Sequence, residues 1–136
     1  EREITVSAHG RLQATIDPFM FELSMTLRPD RTPDQALAAL DGQIARLQDE
    51  LPSADEIARA VKQARAMFAY GSENITNQAF WLGYAEMFAD YSWFTQYLER
   101  LEKITPQDVQ QVAQTYLAPQ QRVVGLFLPQ ANGGQS

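Results

Sequence analysis

Across residues 19–27 the side chains alternate in character: Phe19, Phe21, Leu23, Met25 and Leu27 are large and apolar, and Met20, Glu22, Ser24 and Thr26 fall between them. Successive side chains of a strand point to opposite faces, so this period of two predicts a strand with one strongly apolar side. Ahead of it, Ile4, Val6 and Ala8 alternate with Thr5, Ser7 and His9 until Gly10 interrupts, predicting a shorter strand, and Asp17-Pro18 reads as a turn. Near the other end, residues 122–128 are mostly apolar and β-prone, closing at Pro129. They predict a buried strand that returns to lie beside residues 19–27 in one sheet.

Between these segments the period changes to three and four. Thr32-Pro33-Asp34-Gln35, Ser53-Ala54-Asp55-Glu56 and Thr105-Pro106-Gln107-Asp108 each place a hydroxyl at a helix N-cap and an acceptor three residues on. Proline suits the first helical position because the amide it lacks has no helical partner there. From the first cap, Leu37, Leu40, Ile44, Leu47 and Leu51 form one apolar stripe to about Asp49, ended by Pro52. From the second, Ile57, Val61, Ala64 and Phe68 form another, and the short connection predicts that these two helices pack antiparallel. After Gly71-Ser72-Glu73-Asn74, either Asn74 or Thr76 caps a helix carrying Ala79, Phe80, Gly83, Tyr84 and Met87. Gly83 inside that helix costs about 1 kcal/mol relative to Ala, which predicts a close helix contact there. A further helix runs from Ser92 to about Lys103 with Trp93, Phe94, Tyr97, Leu98 and Leu101, and the last, from Thr105, carries Val109, Val112, Ala113, Tyr116 and Leu117 until Ala118-Pro119. Strands, then helices, then a strand predict an α+β fold: an antiparallel or mixed sheet with helices packed on one face. Residues 1–129 are expected to form a single subdomain and the polar, Gly-rich residues 130–136 a flexible tail.

Composition narrows the chemistry. A chain of 136 residues is the size of one domain, large enough to bury on the order of 68% of its unfolded surface. The net charge of −6, with Arg and Lys interspersed among Asp and Glu, argues against a nucleic-acid surface, which needs clustered cations. No run of about 18 apolar residues is present to span a membrane, and a soluble protein is expected; its compartment is left open, with a cytoplasmic or periplasmic parent. The opening Glu1-Arg2-Glu3 leads straight into an alternating segment without the basic and then apolar stretch of a signal peptide, as a trimmed piece of a longer chain would.

There is no Cys and one His, so disulfides, thiolate ligands and Cys-His catalysis are excluded and a complete zinc centre lacks donors. His9 is expected to be a solvent-facing strand residue. A carboxylate-only calcium or magnesium site stays open, though no EF-hand spacing occurs, and no phosphate-binding glycine loop is present. No catalytic, cofactor-binding or metal-binding residue is therefore assigned. The aromatic run of Phe80, Trp81, Tyr84, Phe88, Tyr91, Trp93, Phe94 and Tyr97 is expected to pack as core, with a substrate-lining groove as the lesser alternative.

Taken in order, DPFMFELSMTLRPD, SADEIARAVKQARAMFAY, SENITNQAFWLGYAEMFADY and ITPQDVQQVAQTYLAPQQRVVGLFLP resemble the carboxy-terminal subdomain of one half of the pitrilysin/insulinase and mitochondrial-processing-peptidase family of zinc metallopeptidases. The likeness spans about residues 12–129 and lies more in the order of the pieces than in any one of them. It implies a protein of two related halves enclosing a chamber, each half built of two α+β subdomains. Its zinc is held by two histidines of an H-x-x-E-H motif and a downstream glutamate, and the motif's glutamate activates water. That motif is absent here. The Arg and Tyr that the family's second half contributes would fall upstream, and neither is assigned to Arg2 or any other residue.

The resemblance thus implies an architectural role. Zinc is expected in the catalytic subdomain of the parent, with no cofactor in this chain. The expected partners are that subdomain, the other half and, in the parent, a peptide substrate; a homodimer is left open. Glu56, Arg59 and Lys62 are expected on a solvated helix surface. Two alternatives stand beside this reading: a subdomain of a catalytically inactive relative serving as an assembly partner, and a stand-alone interaction module.

Overall fold

The computed structural model describes residues 4–12, 15–17 and 19–128. It is an α+β fold of a two-stranded sheet followed by helices. Strand β1 (Thr5–Leu12) and strand β2 (Phe21–Leu27) pair antiparallel, with Ala8 opposite Met25, Gly10 opposite Leu23 and Leu12 opposite Phe21. Directly opposed residues share a face, so these six make the apolar side, while His9 opposite Ser24 and Arg11 opposite Glu22 make the polar one. The register shifts between Thr5 and Ser7, which leaves Val6 as the extra residue. Gly10 does not end the strand as its position suggested. A Cβ there would lie 3.3 Å from the tip of the Phe21 ring, so the glycine gives that ring room to lie across β1. Phe19 and Met20 precede β2 rather than belonging to it.

The caps formed as the local sequence dictated. In α1 (Pro33–Asp49), the Gln35 amide donates to Thr32 Oγ1 at 3.3 Å and the Thr32 amide to Gln35 Oε1 at 3.1 Å. In α2 (Ala54–Gly71), Ser53 and Glu56 make the same reciprocal pair at 3.2 and 2.9 Å. Asn74, not Thr76, caps α3 (Ile75–Phe88), accepting from the Asn77 amide at 2.9 Å. Thr105 and Asp108 close the box of α6 (Pro106–Tyr116) at 3.2 and 2.8 Å. The helix expected over residues 92–103 is two pieces, α4 (Ser92–Thr95) and α5 (Tyr97–Glu102), broken where Gln96 takes a turn conformation of φ −97°, ψ 2° with no Gly or Pro to announce it.

Packing departs from the simplest expectation in three places. Helix α1 packs chiefly on α6, and α2 on α5, rather than α1 on α2. Interlocked glutamines hold the first pair: Gln48 Nε2 donates to the carbonyls of Ala113 and Leu117 at 3.1 and 3.4 Å, while Gln110 and Gln114 donate to the Gln48 carbonyl at 3.1 and 2.7 Å. Between α1 and α2 runs the ion pair Arg46–Glu56 at 3.1 Å, and between α2 and α5 the pair Arg65–Glu102 at 2.6 Å. Gly83 has nothing within 4 Å of where a Cβ would sit, so no other helix approaches it among the described residues.

Residues 122–128 are not a strand. After a 3₁₀ turn at Pro119–Gln121, Arg122 is held to Asp41 of α1 by a two-pronged ion pair, and the following residues join neither β1 nor β2. A strand exists only where a ladder partner meets it, and among the described residues none does. The expected tail, residues 130–136, and the expected terminus at Pro129 lie outside the described residues.

The core is correspondingly small. Among the described residues only Ala36, Pro52, Ala85 and Ala113 are buried, and no large side chain is fully buried.

Candidate functional site

The chemistry that the fold presents is apolar. Along α3 the residues Phe80, Trp81, Tyr84 and Phe88 stand at helical spacing, and their rings meet in sequence at centroid separations of 5.2 to 5.9 Å. The series continues from Phe88 to Trp93 of α4 at 5.0 Å, from Trp93 to Tyr97 of α5 at 5.6 Å, and from Tyr97 to Phe68 of α2 at 5.2 Å. Edge-to-face contacts predominate within α3 and across to α4, as the ring quadrupoles favour. Trp81 Nε1 donates to the Gly71 carbonyl at 3.1 Å, fastening α3 to the end of α2.

These rings cover one another without being buried, so the expectation of a core is met only in part. A groove of about 270 Å³ opens among them, with Met67 and Phe68 of α2, Trp81 of α3 and Trp93, Phe94 and Tyr97 beyond. Its size suits one or two apolar side chains rather than a cofactor, since small-molecule sites run from about 300 to 1,000 Å³. A second hollow of about 300 Å³ lies where Ile57 and Val61 face Ile104 and Pro106. Its one charged lining residue, Glu102, is already engaged by Arg65. Tyr91 stands outside the ring series, exposed, with its amide donating to Glu86 Oε1 at 2.7 Å. Phe68 joins the series from a different helix, a role its place in the α2 stripe did not disclose.

Charged groups near these surfaces serve structure. Glu56 is held down to about 2, first by the Ser53 amide, then by Arg46 and the Ser53 hydroxyl; Arg59 and Lys62 of the same helix are exposed. The Arg122 guanidinium lowers the Asp41 carboxyl, and Thr105 lowers that of Asp108. His9 is exposed on the polar face of β1, opposite Ser24. Among the described residues no group of three or more His, Asp or Glu side chains is placed to hold a metal ion, and a chain with one His and no Cys does not supply the donor set of a zinc centre. No helix among them is long and apolar enough to cross a membrane.

No family model and no curated protein matches the sequence. Among solved structures the chain is similar to the "putative zinc protease from Bordetella pertussis Tohama I", at a TM-score of 0.68 and 23% identity over 79% of this chain. This chain spans 59% of the length of that one. At that identity the likeness is one of fold, and the fold it shares is that of a segment of the longer zinc-protease chain.

Proposed function

We propose that this chain is a noncatalytic subdomain of a zinc-dependent metallopeptidase of the pitrilysin/insulinase type, shaping and supporting the chamber in which the parent protein hydrolyses peptide bonds. The observation that carries the reading is the fold likeness to a zinc protease over 79% of the chain, joined to the order of sequence pieces from DPFMFELSMTLRPD to VGLFLP. It is a fold-level analogy, supported by the chemistry: one imidazole cannot make H-x-x-E-H, so zinc and the water it activates belong to another subdomain. What this chain contributes is form, through paired rings, interlocked helices and apolar surface for a neighbour.

The test compares the chain alone with the assembly that includes a subdomain bearing H-x-x-E-H. Alone, the chain should leave peptides intact and bind no zinc in the submicromolar range; assembled, it should cleave them in a chelator-sensitive way. Cleavage by the chain alone contradicts the reading. An assembly that binds no zinc removes the peptidase and leaves a structural relative in its place.

A further inference from the structure

The groove at the end of α2 has a chemistry that its size alone does not convey. Met67, Phe68, Trp81, Trp93, Phe94 and Tyr97 wall a space of about 270 Å³. Trp93 is inclined to Tyr97 by 44° and Phe94 to Phe68 by 35°, so these rings form an angled wall rather than a flat stack. The Trp81 indole N–H is spent on the Gly71 carbonyl at 3.1 Å, and of the lining side chains only the Tyr97 hydroxyl is a strong acceptor. Aromatic faces are electron-rich and attract a cation. The surroundings are anionic as well. Between Arg65 and Arg100 the chain holds Glu73, Glu86, Asp90 and Glu99 and no Lys, Arg or His, and this stretch supplies all six of those lining side chains. The two flanking arginines are engaged, Arg65 on Glu102 at 2.6 Å and Arg100 on Gln96 Oε1 at 3.2 Å. Helix α2 ends at Gly71, itself part of the groove lining, with no basic residue in its last turn, so the negative end of its dipole lies there without a countercharge from the helix.

We infer that this groove binds the quaternary ammonium group of a small organic cation of the choline class. Charge and hydrogen bonding together select this occupant. A guanidinium carries five N–H donors and a primary ammonium three. Enclosed among rings with one hydroxyl to receive them, either would leave donors unpaired, which is costly. A quaternary ammonium has the positive charge and no N–H, so ring faces, nearby carboxylates and the helix end satisfy it fully. An uncharged hydrocarbon fits the same space but gains nothing from the anionic surroundings. The volume admits a group of side-chain size, which a nitrogen bearing four carbons is. The inference does not rest on the peptidase reading, because none of these residues takes part in it.

Calorimetric titration of the protein at its full native length tests it, with three probes: choline, its uncharged carbon isostere 3,3-dimethylbutanol, and ethanolamine, which keeps the charge and adds N–H donors. Choline should saturate one site per chain, about tenfold more tightly than either of the others, and its binding should weaken as sodium chloride is raised. Trp93→difluorotryptophan keeps the ring's shape while drawing electron density from its face. That variant should bind choline several-fold more weakly and the neutral alcohol unchanged. Should it fail to fold, the ratio of choline to alcohol affinity in the unaltered protein decides alone. Equal affinity for choline and the alcohol, tighter binding of ethanolamine, no saturable choline binding, or choline binding undiminished by the fluorinated ring would each overturn the inference. Zinc content and peptidase activity, measured on the same material, report separately on the functional reading.

Discussion

Trp81 shows how little this chain leaves to burial and how much to particular polar contacts. Its indole N–H reaches the Gly71 carbonyl at 3.1 Å, and Trp81→Phe should lower stability by about 1 kcal/mol, the net worth of one hydrogen bond. Urea titration of the two proteins would show it as a reduced midpoint with an unchanged slope. The caps act similarly. Ser53→Ala should cost about 1 kcal/mol and raise the Glu56 carboxyl only part of the way from its depressed value, because it removes the Ser53 hydroxyl but leaves the amide at position 53 and Arg46 in place. The sign of the pH effect follows from that depression. A carboxyl with a folded value below its unfolded one near 4.5 stabilises the fold above pH 4.5 and loses that contribution as the pH falls toward 2. Asp41 and Asp108 are lowered too and act in the same direction. The urea midpoint should therefore fall on acidification below pH 4.5, and less steeply in Ser53→Ala; a midpoint flat from pH 5 to 2 would exclude it.

The elements differ in how far the sequence announced them. Helix starts were legible because a cap is a contact between residues three apart: Thr32 with Gln35, Ser53 with Glu56 and Thr105 with Asp108 needed nothing distant. The β2 face was legible because its period of two holds from Phe21 to Leu27. Helix pairing was not, since the Gln48, Gln110 and Gln114 clamp that joins α1 to α6 links polar residues more than 60 positions apart. Gln48→Ala should weaken that pair by about 1 kcal/mol, as it removes the donor to the Ala113 and Leu117 carbonyls, while Gln43→Ala on the exposed side should change little. Gly83 makes the opposite case. With open space where its Cβ would be, Gly83→Ala should stabilise the isolated chain by about 1 kcal/mol; a destabilised variant would mean that something packs closely there.

At the scale of the molecule, the segment 122–128 has the composition of a strand and no ladder to join among the described residues, and no large side chain among them is fully buried. Both follow if the sheet is shared with further polypeptide, and neither could be read from composition, which is that of an ordinary domain. The candidate groove was legible only as a list of aromatics; that they pair through α3, α4, α5 and α2 while staying open to solvent depends on how those helices are placed. Phe21, 47% exposed, illustrates the energetic result. Phe21→Ala should cost about 1 kcal/mol in the isolated chain and about 3 to 5 kcal/mol where that face of the sheet is covered.

Amide hydrogen exchange on the monomeric chain tests this most directly. If the sheet is unfinished, the amides of residues 123–128 exchange nearly as fast as in a free peptide while those within α1 and α6 are protected. Strong protection of 123–128 in a monomer would mean that this chain closes its own sheet, and would contradict the account.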